Sequence, residues 1–139
     1  MAPFRLAVLR AAVFAACALC AAGAIAESLR LTGAQEVPPN DSHAVGTGDI
    51  TIDADGNVSG SVSTPTIQGK MAHIHVGAPG KAGPPIITLG SGAQGTWTVP
   101  QGTKLNAEQL AAWKAGDLYV NVHTAEHPGG EVRAQLKAP

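Results

Sequence analysis

The chain has 139 residues, with nine basic and ten acidic side chains and a formal net charge of −1, a length that suits a single domain. The charges are scattered rather than blocked, which argues against a nucleic-acid-binding surface and against a polybasic membrane patch. The two cysteines, Cys17 and Cys20, both fall in an opening segment that does not belong to the domain.

That segment starts with Arg5 and Arg10 and no acid, continues as an apolar run from Ala11 to Ile25 and ends in Ala24-Ile25-Ala26. A basic start, an apolar middle and a small-x-small ending predict a secretory signal peptide over 1–26, with the domain at 27–139 and a periplasmic or secreted location. The run is short for a bilayer, so no membrane span is predicted. A lipid anchor is the competing reading, but neither Phe14-Ala15-Ala16 before Cys17 nor Ala18-Leu19 before Cys20 makes a good lipidation box. Without the leader no cysteine remains, so no disulfide supports the domain and stability must come from a packed core. Loss of Arg5 and Arg10 leaves seven basic against ten acidic residues, a net charge of −3.

The remaining segments are short, glycine-punctuated and rich in Val, Ile and Thr, as in sheet proteins. Leu29 to Thr32 predicts a first strand, and Gln35 to Asn40, with its paired prolines, a loop. Thr47 to Asp53 and Val58 to Ser63 flank Asp53-Ala54-Asp55-Gly56-Asn57, which predicts a β-hairpin. The acids of that turn hint at calcium, but the rest of a calcium loop is missing. Met71 to Val76 alternates, with Met71, His73 and His75 on one face and Ala72, Ile74 and Val76 on the other. Gly77 to Pro85 must be an irregular loop, and Ile86 to Leu89 and Trp97 to Val99 are further strands.

One helix is predicted from Ala107 to about Ala115. Asn106 and Gln109 form a capping box, Leu105 and Leu110 a hydrophobic staple, and Gly116 a stop. Leu118 to Thr124 and Glu131 to Leu136 complete the set, with Leu118, Val120 and Val122 inward and Tyr119, Asn121 and His123 outward. Roughly seven short strands and one helix predict an all-β fold, a Greek-key β-sandwich or flattened barrel. Asn40-Asp41-Ser42 and Asn57-Val58-Ser59 are glycosylation sequons, meaningful only in a eukaryotic secretory pathway.

All five histidines, His43, His73, His75, His123 and His127, lie beyond the leader. Residues two apart on a strand project the same way, roughly 6.6 Å apart along the chain, so His73 and His75 can converge on one ion. His123 on a neighbouring strand offers a third ligand, and His127 in the following turn a fourth. Neutral imidazoles suit copper, zinc or iron, and Met71 on the same face favours copper in its reduced state. The plainer reading leaves these rings on a wet sheet face or hydrogen-bonded in a turn.

Leu31-Thr-Gly-Ala-Gln-Glu-Val-Pro-Pro39, Ala72-His-Ile-His75, Leu118-Tyr-Val-Asn-Val-His-Thr124 and Pro128-Gly-Gly-Glu-Val-Arg133 occur in an order that resembles the CHRD domain family, which is named after chordin and frequent in exported bacterial proteins. The resemblance spans nearly the whole chain after the leader. It implies an all-β domain outside the cytoplasm and says little about activity. The chain departs from the family pattern at His127 and at Ala134. His73, His75 and His123 are family-typical, as are Glu36 and Glu131, which are read as loop anchors with Arg133 as a candidate partner. In pattern, the arrangement also resembles the copper side of copper-zinc superoxide dismutases, without their zinc-loop ligands.

Three functions are therefore expected to compete. A copper-dependent, superoxide dismutase-like enzyme would take superoxide as its substrate and use Arg133 to attract it. A non-catalytic copper or zinc carrier would rely on Met71 beside the histidines. A metal-free protein-binding module would use exposed loops such as Gly77 to Pro85.

Overall fold

The computed structural model describes residues 28–139, so the leader read at 1–26 lies outside the described residues. Alternating apolar side chains organise nine strands: β1 (Leu29–Thr32), β2 (Val45–Ile52), β3 (Val58–Ser63), β4 (Gly69–Val76), β5 (Pro85–Thr88), β6 (Gly90–Ser91), β7 (Thr96–Thr98), β8 (Leu118–Thr124) and β9 (Val132–Leu136). They form one sheet in the order β5-β4-β8-β9-β1-β2-β3-β7-β6, with antiparallel neighbours throughout. β5 and β6 stand at opposite ends of that order, yet only Leu89 separates them in the chain. The sheet must therefore curl until its ends meet, which gives a nearly closed barrel. This is the all-β class with one short helix that the periodicity predicts.

Leu31, Val62, Ile74, Trp97, Val120, Val122 and Val132 fill the interior, since alternation sends every second side chain of each strand inward. Helix α1 (Ala107–Ala115) lies in the crossover from β7 to β8 and buries Trp113. Its capping box forms as expected: Asn106 Oδ1 accepts from Gln109 N at 2.8 Å and Gln109 Oε1 accepts from Asn106 N at 2.9 Å. Gly116 ends it in the left-handed conformation, φ 81°. The Asp53 turn is a hairpin turn, its carboxylate accepting from the N–H of Asp55 and Asn57 and from the Asn57 amide.

On the other face of β4, β8 and β9 the structure differs from expectation. Tyr119, Asn121 and His123 lie opposite the core-facing Leu118, Val120 and Val122, as expected, but all three are buried rather than open to solvent. Two irregular segments fold back over this face. Asn40 ties the first down by donating to the carbonyls of Gly130 and Glu131; the loop between β4 and β5 is the second. A polar layer thus lies sandwiched between barrel wall and loops, and the histidines sit in it.

Candidate metal centre

Register decides which rings meet. β4 and β8 pair so that Met71 faces His123, His73 faces Asn121 and His75 faces Tyr119. His123 therefore reaches His73 along the diagonal, a distance that long and aromatic side chains bridge. His73 Nδ1 and His123 Nε2 lie 3.0 Å apart. One ring nitrogen from each of His73, His75 and His123 falls within 4.8 Å of the others. The ring centroids are 4.9 Å apart for His73 and His123, 5.5 Å for His73 and His75, and 5.8 Å for His75 and His123.

Backbone carbonyls set the tautomers. His75 Nδ1 lies 2.9 Å from Gly83 O, and His123 Nδ1 lies 2.9 Å from Pro128 O. A carbonyl only accepts, so both Nδ1 atoms carry the proton and both Nε2 atoms keep a lone pair. His123 directs its lone pair at His73. His75 Nε2 is buried without a hydrogen-bond partner, an expensive arrangement for a polar atom unless something else takes the lone pair. Backing of ligand imidazoles by carbonyls is a regular feature of metal sites.

The local field favours the neutral form of His73 and His75. Burial pushes the pKa of His73 below the ordinary imidazole value, and the neighbouring His123 adds to the effect. Burial likewise lowers His75, against the opposing pull of the Gly83 carbonyl. Neutral imidazoles with free lone pairs are what a divalent or cuprous ion needs. The group contains no carboxylate, so its donor set is all nitrogen and suits copper, zinc or iron.

His127, expected as a fourth ligand, is not in this group. Its backbone builds the turn instead, with its N–H donating to Thr124 Oγ1 and its C=O accepting from Thr124 and Gly130. His43 is exposed and also outside the group. Met71, opposite His123, is 50% exposed at the edge of the cluster.

Arg133, expected as a free cation to attract an anion, is only 1% exposed. Its guanidinium donates to Lys81 O at 2.9 Å, Ala78 O at 3.2 Å and Gln135 Oε1 at 2.8 Å. Two of these bonds go to the β4–β5 loop and one to β9, and the side chain does not stand open to solvent. Glu131 anchors loops, accepting from the hydroxyls of Ser42 and Thr124, both at 2.7 Å.

Three features of the layer escape a reading of the sequence. Tyr119 stacks on His75 with a centroid distance of 4.7 Å and an interplanar angle of 7°. Arg133 Cζ lies 3.5 Å from the centroid of the same ring. The Asn121 amide stands between His75 and Glu36, and its Oδ1, like Glu36 Oε1, is buried without a partner. The alternation of β8 already placed Tyr119 and Asn121 on the face of His123; nothing local placed Glu36 there.

The family model of the CHRD domain matches residues 28–136, nearly all of the described chain. Neither comparison with curated proteins nor comparison with solved structures gave a match.

Proposed function

This chain belongs to the CHRD domain family, as its motifs suggested, and we propose that this member is an exported copper protein with superoxide dismutase-like redox activity. The observation that carries the reading is the convergence of His73, His75 and His123, with ring nitrogens within 4.8 Å and their outer nitrogens, in two cases, held by carbonyls. The leader motif at 1–26 supports export.

A copper ion held there would supply one-electron chemistry, oxidising one superoxide to dioxygen and reducing a second, with two protons, to hydrogen peroxide. The chain's own part is to hold three neutral imidazoles in fixed orientation. His75 and His123, each 7% exposed, are shielded from water, whereas His73 is half-buried. Substrate access therefore runs past His73 and the exposed Met71. Arg133, with hydrogen bonds to Lys81 O and Ala78 O, serves here as a support of the loop.

The test loads purified protein with copper. One bound ion per chain and dismutation well above that of free copper, both abolished in H73A/H75A, supports the reading; dismutation no greater than that of free copper removes it. Met71 favours a second reading, a copper carrier, because an exposed thioether beside two imidazoles holds and hands over cuprous ion. Weakened Cu(I) binding in M71L without dismutase activity in the parent would select it. Protein isolated from its own compartment without metal, yet folded, would select a metal-free binding module.

A further inference from the structure

Resting on the metal-binding reading, we propose that Arg133 is a positioning residue for His75: it clamps the β4–β5 loop so that Gly83 keeps the His75 proton on Nδ1 and leaves Nε2 free to ligate.

Two routes lead from the guanidinium to the imidazole. The first is a stack. His75 comes from β4 and Arg133 from β9, the two strands that flank β8, so Tyr119 carries one on each side of its ring. The guanidinium sits 3.5 Å from the ring centroid, and the imidazole 4.7 Å and nearly parallel. The cation thereby fixes the plane against which His75 lies. The second route is the loop. Arg133 ties two of its carbonyls, Ala78 and Lys81. Gln135, which also accepts from Arg133, donates to Gly77 O at 2.7 Å and Gly116 O at 2.9 Å and so secures the loop root. Both routes end at Gly83: its N–H donates to Tyr119 Oη at 3.2 Å, and its C=O accepts from His75 Nδ1 at 2.9 Å.

The loop has little slack. A Cβ on Gly83 would collide with Val76 O, and a Cβ on Gly77 would come within 2.8 Å of the Tyr119 ring. The carbonyl of Gly83 is thus placed by backbone packing, and Arg133 keeps the packed arrangement shut. A free imidazole in water prefers its proton on Nε2, which would occupy the lone pair a metal needs. Only a planar fork can bond two carbonyls and lie flat on an aromatic ring at once; an ammonium cannot.

The experiment reads ring tautomers by ¹⁵N NMR in the full, metal-free protein, in the wild type and in R133K. The wild type is expected to show His75 and His123 protonated on Nδ1. R133K is expected to show a substantial population of Nε2-protonated His75 and at least a tenfold loss of copper affinity. His123, held by Pro128 O, stays unchanged and reports an intact fold. A folded R133K protein whose His75 remains wholly Nδ1-protonated overturns the proposal. Should R133K fail to fold, Q135L is judged by the same criterion. A shifted tautomer in a protein that binds no copper sinks the metal reading alone; copper on three histidines with an unmoved tautomer sinks the clamp alone.

Discussion

His75 and Tyr119 lie face to face, ring centroids 4.7 Å apart and planes within 7°. The same phenol reaches Gly83 through its hydroxyl, accepting from N–H at 3.2 Å and donating to C=O at 3.3 Å. Stack and hydroxyl are separable. Tyr119→Phe keeps the ring and removes the hydroxyl bonds, which should cost about 1–2 kcal/mol of stability. Tyr119→Leu also removes the stack and the cation–π contact, each worth about 0.5–2 kcal/mol. Urea denaturation of the metal-free proteins should therefore rank wild type above Phe above Leu. A Phe variant as stable as the wild type would mean the hydroxyl contributes nothing to loop closure.

Copper should stabilise the protein in a pH-dependent way. Binding to the folded state alone adds about 2.7 kcal/mol when free copper is a hundredfold above its dissociation constant. Protons compete for the same lone pairs, but burial holds His73 and His75 below the ordinary value of 6.5. The copper-induced rise in melting temperature should thus lose nothing to protonation of His73 or His75 from pH 8 to 6.5 and decline on their account only at lower pH. It should vanish in H73A/H75A at every pH. Protonation of His73 or His75 setting in above 6.5, in an NMR titration of the metal-free protein, would contradict the depressed basicity of these rings.

Glu36 should impose the opposite slope on stability. Burial pushes its pKa from 4.5 up to about 7, against the Asn121 amide, the Arg133 charge and the Val37 N–H. Between these values the folded protein holds a proton that the unfolded chain has released, so stability falls as pH rises from 4.5 through 7. His73 and His75 act in the other direction, because their lowered pKa values make stability rise with pH up to 6.5. The wild-type profile mixes both, and Glu36→Gln separates them. The difference between variant and wild type should grow in favour of the variant from pH 5 to pH 8 in denaturant titrations. A pH-independent difference would place the Glu36 carboxyl near its ordinary range.

The sequence made the barrel and the three-histidine group legible for one reason: both rest on alternation. Ala72 and Ile74, and Val120 and Val122, face the core as predicted, so their intervening neighbours had to share the other face. The helix was equally plain because Asn106, Gln109 and Gly116 are local signals. β6, Gly90–Ser91, has two residues and no period to read. The burial of the polar face was also out of reach, because it depends on segments remote in sequence. Asn40 and Glu131, which pin one such segment, are 91 residues apart. The burial of Arg133 was out of reach for the same reason: its loop partners, Ala78 and Lys81, are brought to it only by the register of β4, β8 and β9.

The adjacent glycines of Pro128-Gly129-Gly130 offer a sharp contrast. A Cβ on Gly129 would meet nothing within 4 Å, whereas one on Gly130 would strike the Glu36 carboxyl and the Asn121 amide. Gly130 also has φ 129°, which L side chains rarely adopt. Gly129→Ala should consequently change stability by no more than about 0.5 kcal/mol, as at an ordinary surface position. Gly130→Ala combines backbone strain of about 1–3 kcal/mol with overpacking of about 1–3 kcal/mol. It should also displace Asn121, which stands beside His75, and so weaken copper binding where Gly129→Ala does not. Denaturation and copper titration of the two alanine variants test both halves. Equal stabilities would show that the Glu36 segment yields freely, and that the polar layer does not hold the histidines through close packing.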